Sequence, residues 1–468
     1  MFHDLSRLAQ QGPVHFMGIG GAGMTPLADL LLRSGGRVTG CDAQHAPALD
    51  VLRVQGAEIV LGHDPAHVAG CAALVITAAV APDHPEICAA RERGIPVFKR
   101  AEALGALVNG GEVVGVAGTH GKTTTTVMTA AVLAAGGLHP TALAGGRVPA
   151  WGGNLLHGGQ RLFVVEADEY DRSFLTLRPR VAVVTTLEAD HLDVYGSLDA
   201  IEDAFASFLE PVPSDGAVVL CGDDHGAGRL AARIGQAERT VVTYGTGAGS
   251  MLRAERLSFA AGETRFAVRE RGRPRGEMAL RAPGVHNVLN ALAAAAVGLQ
   301  FGLEWEAVAE GLRSYTGVER RFERVGDAAG VILVDDYAHH PTELRATVRA
   351  ARSAHPDRRL VAVFQPHLYS RTRDFADEFG RALAEADLAF VTDVYAAREA
   401  AIPGVSGVLV ADAARTAGAD VRYHPDREGL PEAVVEALRP GDLCLTLGAG
   451  DLDRASRRIL SLLGPVSG

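Results

Sequence analysis

Lysine is almost missing from this chain. Only two are present, Lys99 and Lys122, although lysine and arginine together number 45. The basic residues are therefore nearly all arginine, and acidic residues outnumber them, leaving a formal charge of -11. That balance excludes the broad basic face a nucleic acid backbone requires. Cysteine is sparse as well: five residues, at 41, 71, 88, 221 and 444, an odd number with no C-x-x-C pair. A disulfide scaffold is thereby excluded, and the cysteines read as small buried residues of a reducing compartment. Long apolar runs are absent too, each being broken by glycine or charge before it reaches the length of a membrane span. The opening segment MFHDLSRLAQQG has no basic start and no apolar core, so no secretory signal is read and a cytoplasmic location is expected.

What is present is the composition of a soluble globular protein, 47% apolar and 22% charged over 468 residues. That length predicts about three domains. The chain is organised around Gly111 to Ala135, GEVVGVAGTHGKTTTTVMTAAVLAA. Val113 to Ala117 reads as a buried parallel strand, and a threonine- and alanine-rich helix follows the glycine turn. A turn between strand and helix can cradle phosphate, because backbone N–H groups approach the anion and the helix N-terminus adds positive charge. The strict G-x-x-x-x-G-K-[ST] pattern wants a glycine where Val116 stands, and the tighter loop Gly118-Thr119-His120-Gly121-Lys122-Thr123 fits instead. An ordinary glycine turn is the competing reading. Scarcity decides between them: a chain that uses arginine almost everywhere keeps a lysine here, where a compact charge on a flexible stem serves phosphate best. Lys122 is expected to reach the terminal phosphates and Thr123 to offer its hydroxyl to magnesium.

Before this stretch, strands at Val14–Met17, Arg37–Gly40, Glu58–Val60, Leu74–Thr77 and Ile95–Phe98 alternate with helices, a doubly wound α/β pattern. Its first turn, Gly18-Ile19-Gly20-Gly21-Ala22-Gly23, satisfies G-x-G-x-x-G, and Asp42 closes the second strand. The turn suits a dinucleotide or any other diphosphate, UDP included. His63 and Thr77 lie where such a fold places ligand contacts. Gly110-Gly111 marks a boundary. Beyond the phosphate loop, the strands Arg161–Ala167 and Val181–Thr185 run into EADEYDRSF and LEADHLDVYG, placing Glu166 and His191 at the ligand edge of the same sheet as candidate magnesium ligands.

After Gly245, short alternating runs at 252–259, 264–268 and 277–281 predict an antiparallel appendage. APGVHNVLNALAAAAVGL then opens a helix with His286, Asn287 and Asn290 expected in its first turn, as caps or as readers of an adenine edge. From Thr316 to Glu319 a last domain begins. Its strands at 331–334, 360–364, 388–391 and 443–447 end in DDYAHHPTE, FQPHLYSRTRD, DVYAAREAAIPG and LGAGD, polar clusters that suit a small polar substrate.

GIGGAGM, GTHGKTTT, EADEYDRSF, ADHLDVYG, HNVLNALAA, RRFE, DDYAHHPTE, YSRTRD and GAGD fall in an order that resembles the Mur ligase family from Val14 to Asp451. The resemblance implies three α/β domains. Residues 1–110 form a Rossmann-like domain for a UDP-sugar, 111–316 a P-loop ATPase domain with a mostly parallel sheet, and 317–468 a Rossmann-like domain that brings the amino acid. It implies a monomer or homodimer that uses ATP and Mg²⁺ to join L-alanine to the carboxylate of UDP-N-acetylmuramate through an acyl phosphate. By the same resemblance, Gly118, Thr119, His120, Gly121, Lys122, Thr123 and Thr124 hold ATP phosphates, and Thr123, Glu166 and His191 hold magnesium. Asn287 and Asn290 meet the adenine, Arg321 the γ-phosphate, Asp335 or Asp336 the ribose or phosphates, and His339 and Arg371 the alanine. Gly18, Gly20, Gly21, Ala22, Gly23, Asp42, His63 and Thr77 would face the UDP-sugar.

This sequence departs from the family pattern at Tyr170, where serine is usual, at Leu368, where arginine is usual, and at Ala396 to Arg398, where Pro-Ala-Gly is usual. A murein tripeptide ligase is the alternative within the family, since EADEYD resembles that enzyme too. Later Mur ligases and folylpolyglutamate synthases use a carbamylated lysine, and the central segment contains no lysine besides Lys122. An NAD-dependent oxidoreductase accounts for the first turn and leaves the P-loop without a task. A non-catalytic P-loop switch leaves the polar strand ends of the last domain without one.

Overall fold

The computed structural model describes residues 5–77, 80–234, 239–260, 262–397 and 399–464. They form two compact units. One comprises Met1–Ala254, Val268–Gly276 and Leu289–Ser314, and the other Glu255–Ala267, Glu277–Val288 and Tyr315–Gly468. The α/β class expected from the sequence is the class observed, built on three sheets of five, ten and six strands.

In the first unit, an all-parallel sheet runs Glu58–Leu61, Val38–Asp42, Val14–Met17, Ala73–Ile76, Val97–Lys99. The chain starts in the middle, winds to one edge, then crosses back. Winding therefore reverses between Val14–Met17 and Ala73–Ile76, and ligands enter such sheets at that crevice, beyond the strands' carboxyl ends. Val14, Phe16 and Met17 are fully buried, as a strand covered on both faces requires. The fifth strand begins later than expected because Pro96 has no N–H for the ladder; its carbonyl alone bonds, to Leu74 N.

The same unit holds the centre of the ten-stranded sheet. There Glu112–Ala117 lies between Val181–Val184 and Leu162–Glu166, parallel to both. All three strands end at one edge, from which the helix Lys122–Ala135 departs. Val113, Val114 and Val116 are buried to 1% exposure or less, each side chain contributing about 1.5–3 kcal/mol by the area rule. Later strands of this sheet are Leu252–Ala260, Glu263–Glu270 and Arg273–Leu280. The last two are joined by Arg271-Gly272, both at positive φ, as a two-residue hairpin turn demands.

In the second unit the order is Glu323–Ala328, Val331–Asp336, Leu443–Leu447, Leu360–Phe364, Leu388–Val391, Val421–Tyr423, parallel except for the first pair. Phe364, Phe379 and Phe390 fill its interior. Seven of the eleven non-glycine residues at positive φ among the described residues lie in the motif loops: Asp171, Arg172, His191, Arg320, Phe322, Leu368 and Ala397. Backbone strain of this kind persists only where surrounding structure imposes it, and it concentrates at functional sites. Among the described residues no helix is long and apolar enough to cross a membrane.

Candidate active site

The phosphate loop turns through left-handed glycines, Gly118 at φ 132° and Gly121 at φ 79°. A β-carbon at Gly121 would come 2.5 Å from Asn290 Oδ1, and one at Gly118 would overlap Thr185. The loop is pinned by the neighbouring strand end: Thr119 N donates to Thr186 O (2.9 Å), His120 N to Thr186 Oγ1 (3.0 Å), and Thr185 Oγ1 to His120 O (2.5 Å). His120 also lies 3.6 Å from Glu188. Lys122 Nζ donates to Gly118 O (2.7 Å), Thr119 O (3.2 Å) and Glu169 Oε1 (2.9 Å). Burial alone would lower the lysine's pKa, and the carboxylates of Glu169, Asp168 and Glu166 outweigh it, so the ammonium stays charged above its ordinary value. Sequence reasoning passed over Glu169. Its signal was a fourth-position acid in EADE, behind the more conspicuous Glu166.

Thr123 Oγ1 donates to Glu166 Oε1 at 2.9 Å, and Gly145 N donates to Glu166 Oε2 at 2.5 Å. Adjacent ligands of an octahedral magnesium, each about 2.1 Å from the ion, stand roughly 2.9 Å apart, so the hydroxyl and carboxylate fit one such ion. His191, left-handed at φ 50°, opens the short helix Leu192–Tyr195. Its Nε2 lies 3.8 Å from both Glu169 Oε1 and Asp190 Oδ2, and the ring of Tyr170 meets it edge-on at 5.3 Å. Glu169 thus stands between Lys122 and His191. Thr124 is buried in the first turn of the helix.

On the five-stranded sheet, the glycine turn is braced from below. Gly18 N and Ile19 N donate to Cys41 O (2.8 and 3.1 Å), and Gly20 N to Asp42 Oδ2 (2.9 Å). Asp42 reaches the turn because its strand extends through it, beyond the expected end at Gly40. Gly21, Ala22, Gly23 and Thr77 line a cleft of about 320 Å³ whose far side carries Gly145 and Glu166. Gly18, Gly20 and Asp42 build the turn, whereas His63 sits beside Cys41 and Glu86, at 3.3 and 3.6 Å. A larger cleft, about 550 Å³, is lined by Leu31, Gly105, Asn109 and Phe163 and includes neither glycine turn.

The helix Val285–Gln300 places Asn287 in its first turn but Asn290 in its second, one turn later than expected. Gly284 O takes the first helical bonds, from Asn287 N and Val288 N, so both asparagines stand inside the helix and not at its cap. Asn287 Nδ2 donates to Pro283 O (2.8 Å), and Asn290 Oδ1 accepts from Thr125 Oγ1 (3.1 Å).

Within the second unit, Asp335 and Asp336 are 2% and 7% exposed. Asp335 accepts from Thr446 Oγ1 (2.5 Å) and Arg320 Nε (3.1 Å), and Asp336 from Phe322 N (2.7 Å) and Ala338 N (2.8 Å). Burial, partly offset by Arg321, raises Asp336 to about 6. Arg320, unnoticed in the sequence beside Arg321, ties this strand end to Gly448 O and Gly450 O. Both guanidiniums lie 5.1 Å from the centre of the Tyr337 ring. His339 N and His340 N donate to Glu343, which with His340 forms the capping box of the helix Pro341–Ala354. The His339 ring contacts Tyr337 and His367 edge-on, and His367 stacks on Tyr395. Arg371 is buried in the helix Tyr369–Asp374, which Leu368 enters at φ 68°. Of the Ala396 to Arg398 departure, Arg398 lies outside the described residues.

Comparison with known proteins covers nearly the whole chain. Residues 13–111 match the family model "Mur ligase family, catalytic domain", 116–298 "Mur ligase middle domain", and 320–450 "Mur ligase, glutamate ligase domain". A UDP-N-acetylmuramate–L-alanine ligase of Salinibacter ruber is 47% identical over 461 residues, 98% of this chain and 96% of its own. Another, of Kineococcus radiotolerans, is 47% identical over 459 residues, 97% of each chain. The crystal structure of UDP-N-acetylmuramate-alanine ligase from Thermotoga maritima superposes with a TM-score of 0.81 at 30% identity, over 96% of this chain and 99% of its own. A murein peptide ligase from Psychrobacter arcticus reaches 0.69 at 25% identity, over 98% of this chain and all of its own. By sequence along its full length and by fold, the chain belongs to the Mur ligase family.

Proposed function

We propose that this protein joins L-alanine to the carboxylate of UDP-N-acetylmuramate at the expense of ATP, giving UDP-N-acetylmuramoyl-L-alanine, ADP and phosphate in the cytoplasm. One observation carries the chemistry: a single cleft is lined by the glycine turn of the five-stranded sheet and by Glu166, the partner of Thr123. A sugar nucleotide whose diphosphate rests on Gly21 to Gly23 would extend its acid toward the nucleotide phosphates. The near full-length likeness to alanine ligases supports this substrate pair over a tripeptide.

A carboxylate is a poor electrophile, and transfer of the γ-phosphoryl group turns it into an acyl phosphate. The alanine amine attacks, and the tetrahedral adduct expels phosphate. Such a transfer depends on positioning and charge neutralisation more than on covalent help from the protein. Lys122 would keep its bonds to Gly118 O and Thr119 O and exchange Glu169 for a phosphate oxygen. Thr123 and Glu166 would hold one magnesium ion and His191 a second; when bound, magnesium supplies charge neutralisation at the phosphates and the acid. We assign 1–110 to the sugar nucleotide, 111–316 to ATP and 317–468 to the amino acid. Within these, Asn287 and Asn290 serve the adenine, Arg321 the γ-phosphate, Asp335 or Asp336 the ribose or phosphates, and His339 and Arg371 the alanine, its carboxylate clamped by the arginine. Phosphate release, measured with UDP-N-acetylmuramate and ATP plus alanine, tripeptide or glutamate, tests the reading. Release with alanine is expected; release with tripeptide and not with alanine would transfer the protein to the murein peptide ligases.

A further inference from the structure

Beneath the glycine turn of the five-stranded sheet lies a group of side chains that the ligation chemistry does not use. Glu86 is fully buried, and its ion-pair partners among the described residues are two imidazoles, His63 at 3.6 Å and His67 at 3.0 Å. Among the described residues no lysine or arginine pairs with it. Buried carboxylates are otherwise paired with a cation or bound to a metal. Around it stand further ligating atoms: Cys41 Sγ lies 3.4 Å from Glu86 Oε2 and 3.4 Å from His15 Nε2. Single ligating atoms of His15, Cys41, His67 and Glu86 all fall within 4.8 Å of one another.

We propose that His15, Cys41, His67 and Glu86 form a structural site for a divalent transition metal of the zinc class, distinct from the magnesium positions of the phosphate loop. One thiolate, two imidazoles and one carboxylate are a donor set suited to tetrahedral zinc. With bonds of about 2.0–2.3 Å, tetrahedral ligands stand roughly 3.3–3.8 Å apart, so the contacts of Cys41 Sγ with His15 and Glu86 already have that spacing, and no pair of the group has to close by more than about 1 Å. The surrounding bonds orient the ligands as outer partners of a metal do. His15 commits its other nitrogen, Nδ1, to Thr39 Oγ1 at 2.9 Å, leaving Nε2 for the ion, and Asp64 N holds Glu86 Oε1 at 2.8 Å. His15, Cys41 and Glu86 are buried, whereas His63 and His67 are 29% and 22% exposed, which gives an ion a way in. On binding, the Cys41 proton passes to solvent as the thiolate takes the metal.

The site has a mechanical consequence. Cys41 O receives the first two amides of the glycine turn and the next residue, Asp42, receives the third, so an ion on Cys41 Sγ fixes the floor of the diphosphate seat. The test uses the full-length protein, loaded with zinc or cobalt and freed of loose ion by dialysis. Elemental analysis should find one retained zinc per chain, and cobalt should give a thiolate-to-metal charge-transfer band. Cys41→Ser should abolish the band, and Cys221→Ser should not. His67→Ala, on the partly exposed turn Pro65–Val68, should weaken retention by about 100-fold or more, because even outer-shell partners are worth about 10–100-fold. Zinc should raise the melting temperature of the native protein and leave that of the double variant Cys41→Ser/His67→Ala unmoved. Equal zinc retention by the native and doubly substituted proteins, or a cobalt band that survives Cys41→Ser, would overturn the site and leave a hydrogen-bonded network.

Discussion

The two glycine turns of the first unit solve one problem in opposite ways. Each follows a strand that is parallel to both its neighbours and each leads into a helix, and each is expected to receive a diphosphate. The turn Gly118 to Thr123 carries its own cation, Lys122, saturated by two loop carbonyls and Glu169. The turn Gly18 to Gly23 has none. Its nearest guanidinium, Arg100, opens the helix Arg100–Val108 beyond the sheet's last strand and faces Asp168 at 3.9 Å. A turn that must drive phosphoryl transfer needs a charge fixed against the reacting phosphate, whereas a turn that only seats a substrate needs amides and a firm base.

The sharpest break between them is Lys122→Ala. Ligation should fall by on the order of 10³-fold while UDP-sugar affinity, measured by calorimetry, is retained. Loss of both would show that the turns do not divide the work. The same variant leaves Glu169 buried without its partner, at a cost of about 3–5 kcal/mol. Adding Glu169→Gln should restore the unfolding midpoint and not the activity.

His191→Ala follows in size: turnover should drop by about 100-fold with the KM for ATP nearly unchanged. Unaltered turnover at saturating magnesium would remove this histidine from the site. Gly121→Ala should destabilise by about 1–3 kcal/mol, since φ 79° resists a side chain and Asn290 blocks it. Gly23→Ala meets the flexible stem of Arg100 instead and should leave the unfolding midpoint nearly in place. Equal losses would mean that both turns are equally rigid.

The smallest effect lies outside both turns and acts through pH. Burial holds the His286 imidazole at about 4, against the pull of Glu343, while the unfolded residue titrates near 6.5. Between those values the unfolded chain binds a proton that the folded chain refuses, so stability is complete above 6.5 and declines toward 4. Asp336, raised to about 6, works in the other direction, binding a proton in the folded state first and adding stability as pH falls from 6 toward 4. His286→Gln should therefore flatten the acid limb of urea unfolding measured from near pH 7.5 to near pH 5. An unchanged limb would assign the decline to other groups.

Much of this was legible from one chain because buried parallel strands are written as continuous apolar runs. Leu360–Phe364, Leu388–Val391 and Leu443–Leu447 begin and end where those runs do. Strand ends were less legible. Val331–Asp336 continues through both aspartates, since Thr446, Phe322 and Ala338 satisfy their carboxylates far from any local pattern. Lys122 stood out through composition, but its partner did not, because Glu169 lies 47 residues away and only the sheet brings them together. The Cys41–Glu86 contact, across 45 residues, was hidden for the same reason. The asparagines misled by a turn: the amide pattern was visible, and the position of Gly284 as the helix start was not.

The three bonds on Lys122 also make the chain its own chemical reporter. Of the two lysines, Lys99 is exposed and Lys122 is locked into its cradle as a charged ammonium. Acylating reagents should therefore mark Lys99 readily and spare Lys122, so that any peptide modified at the second position records a moment when the loop had let its lysine go.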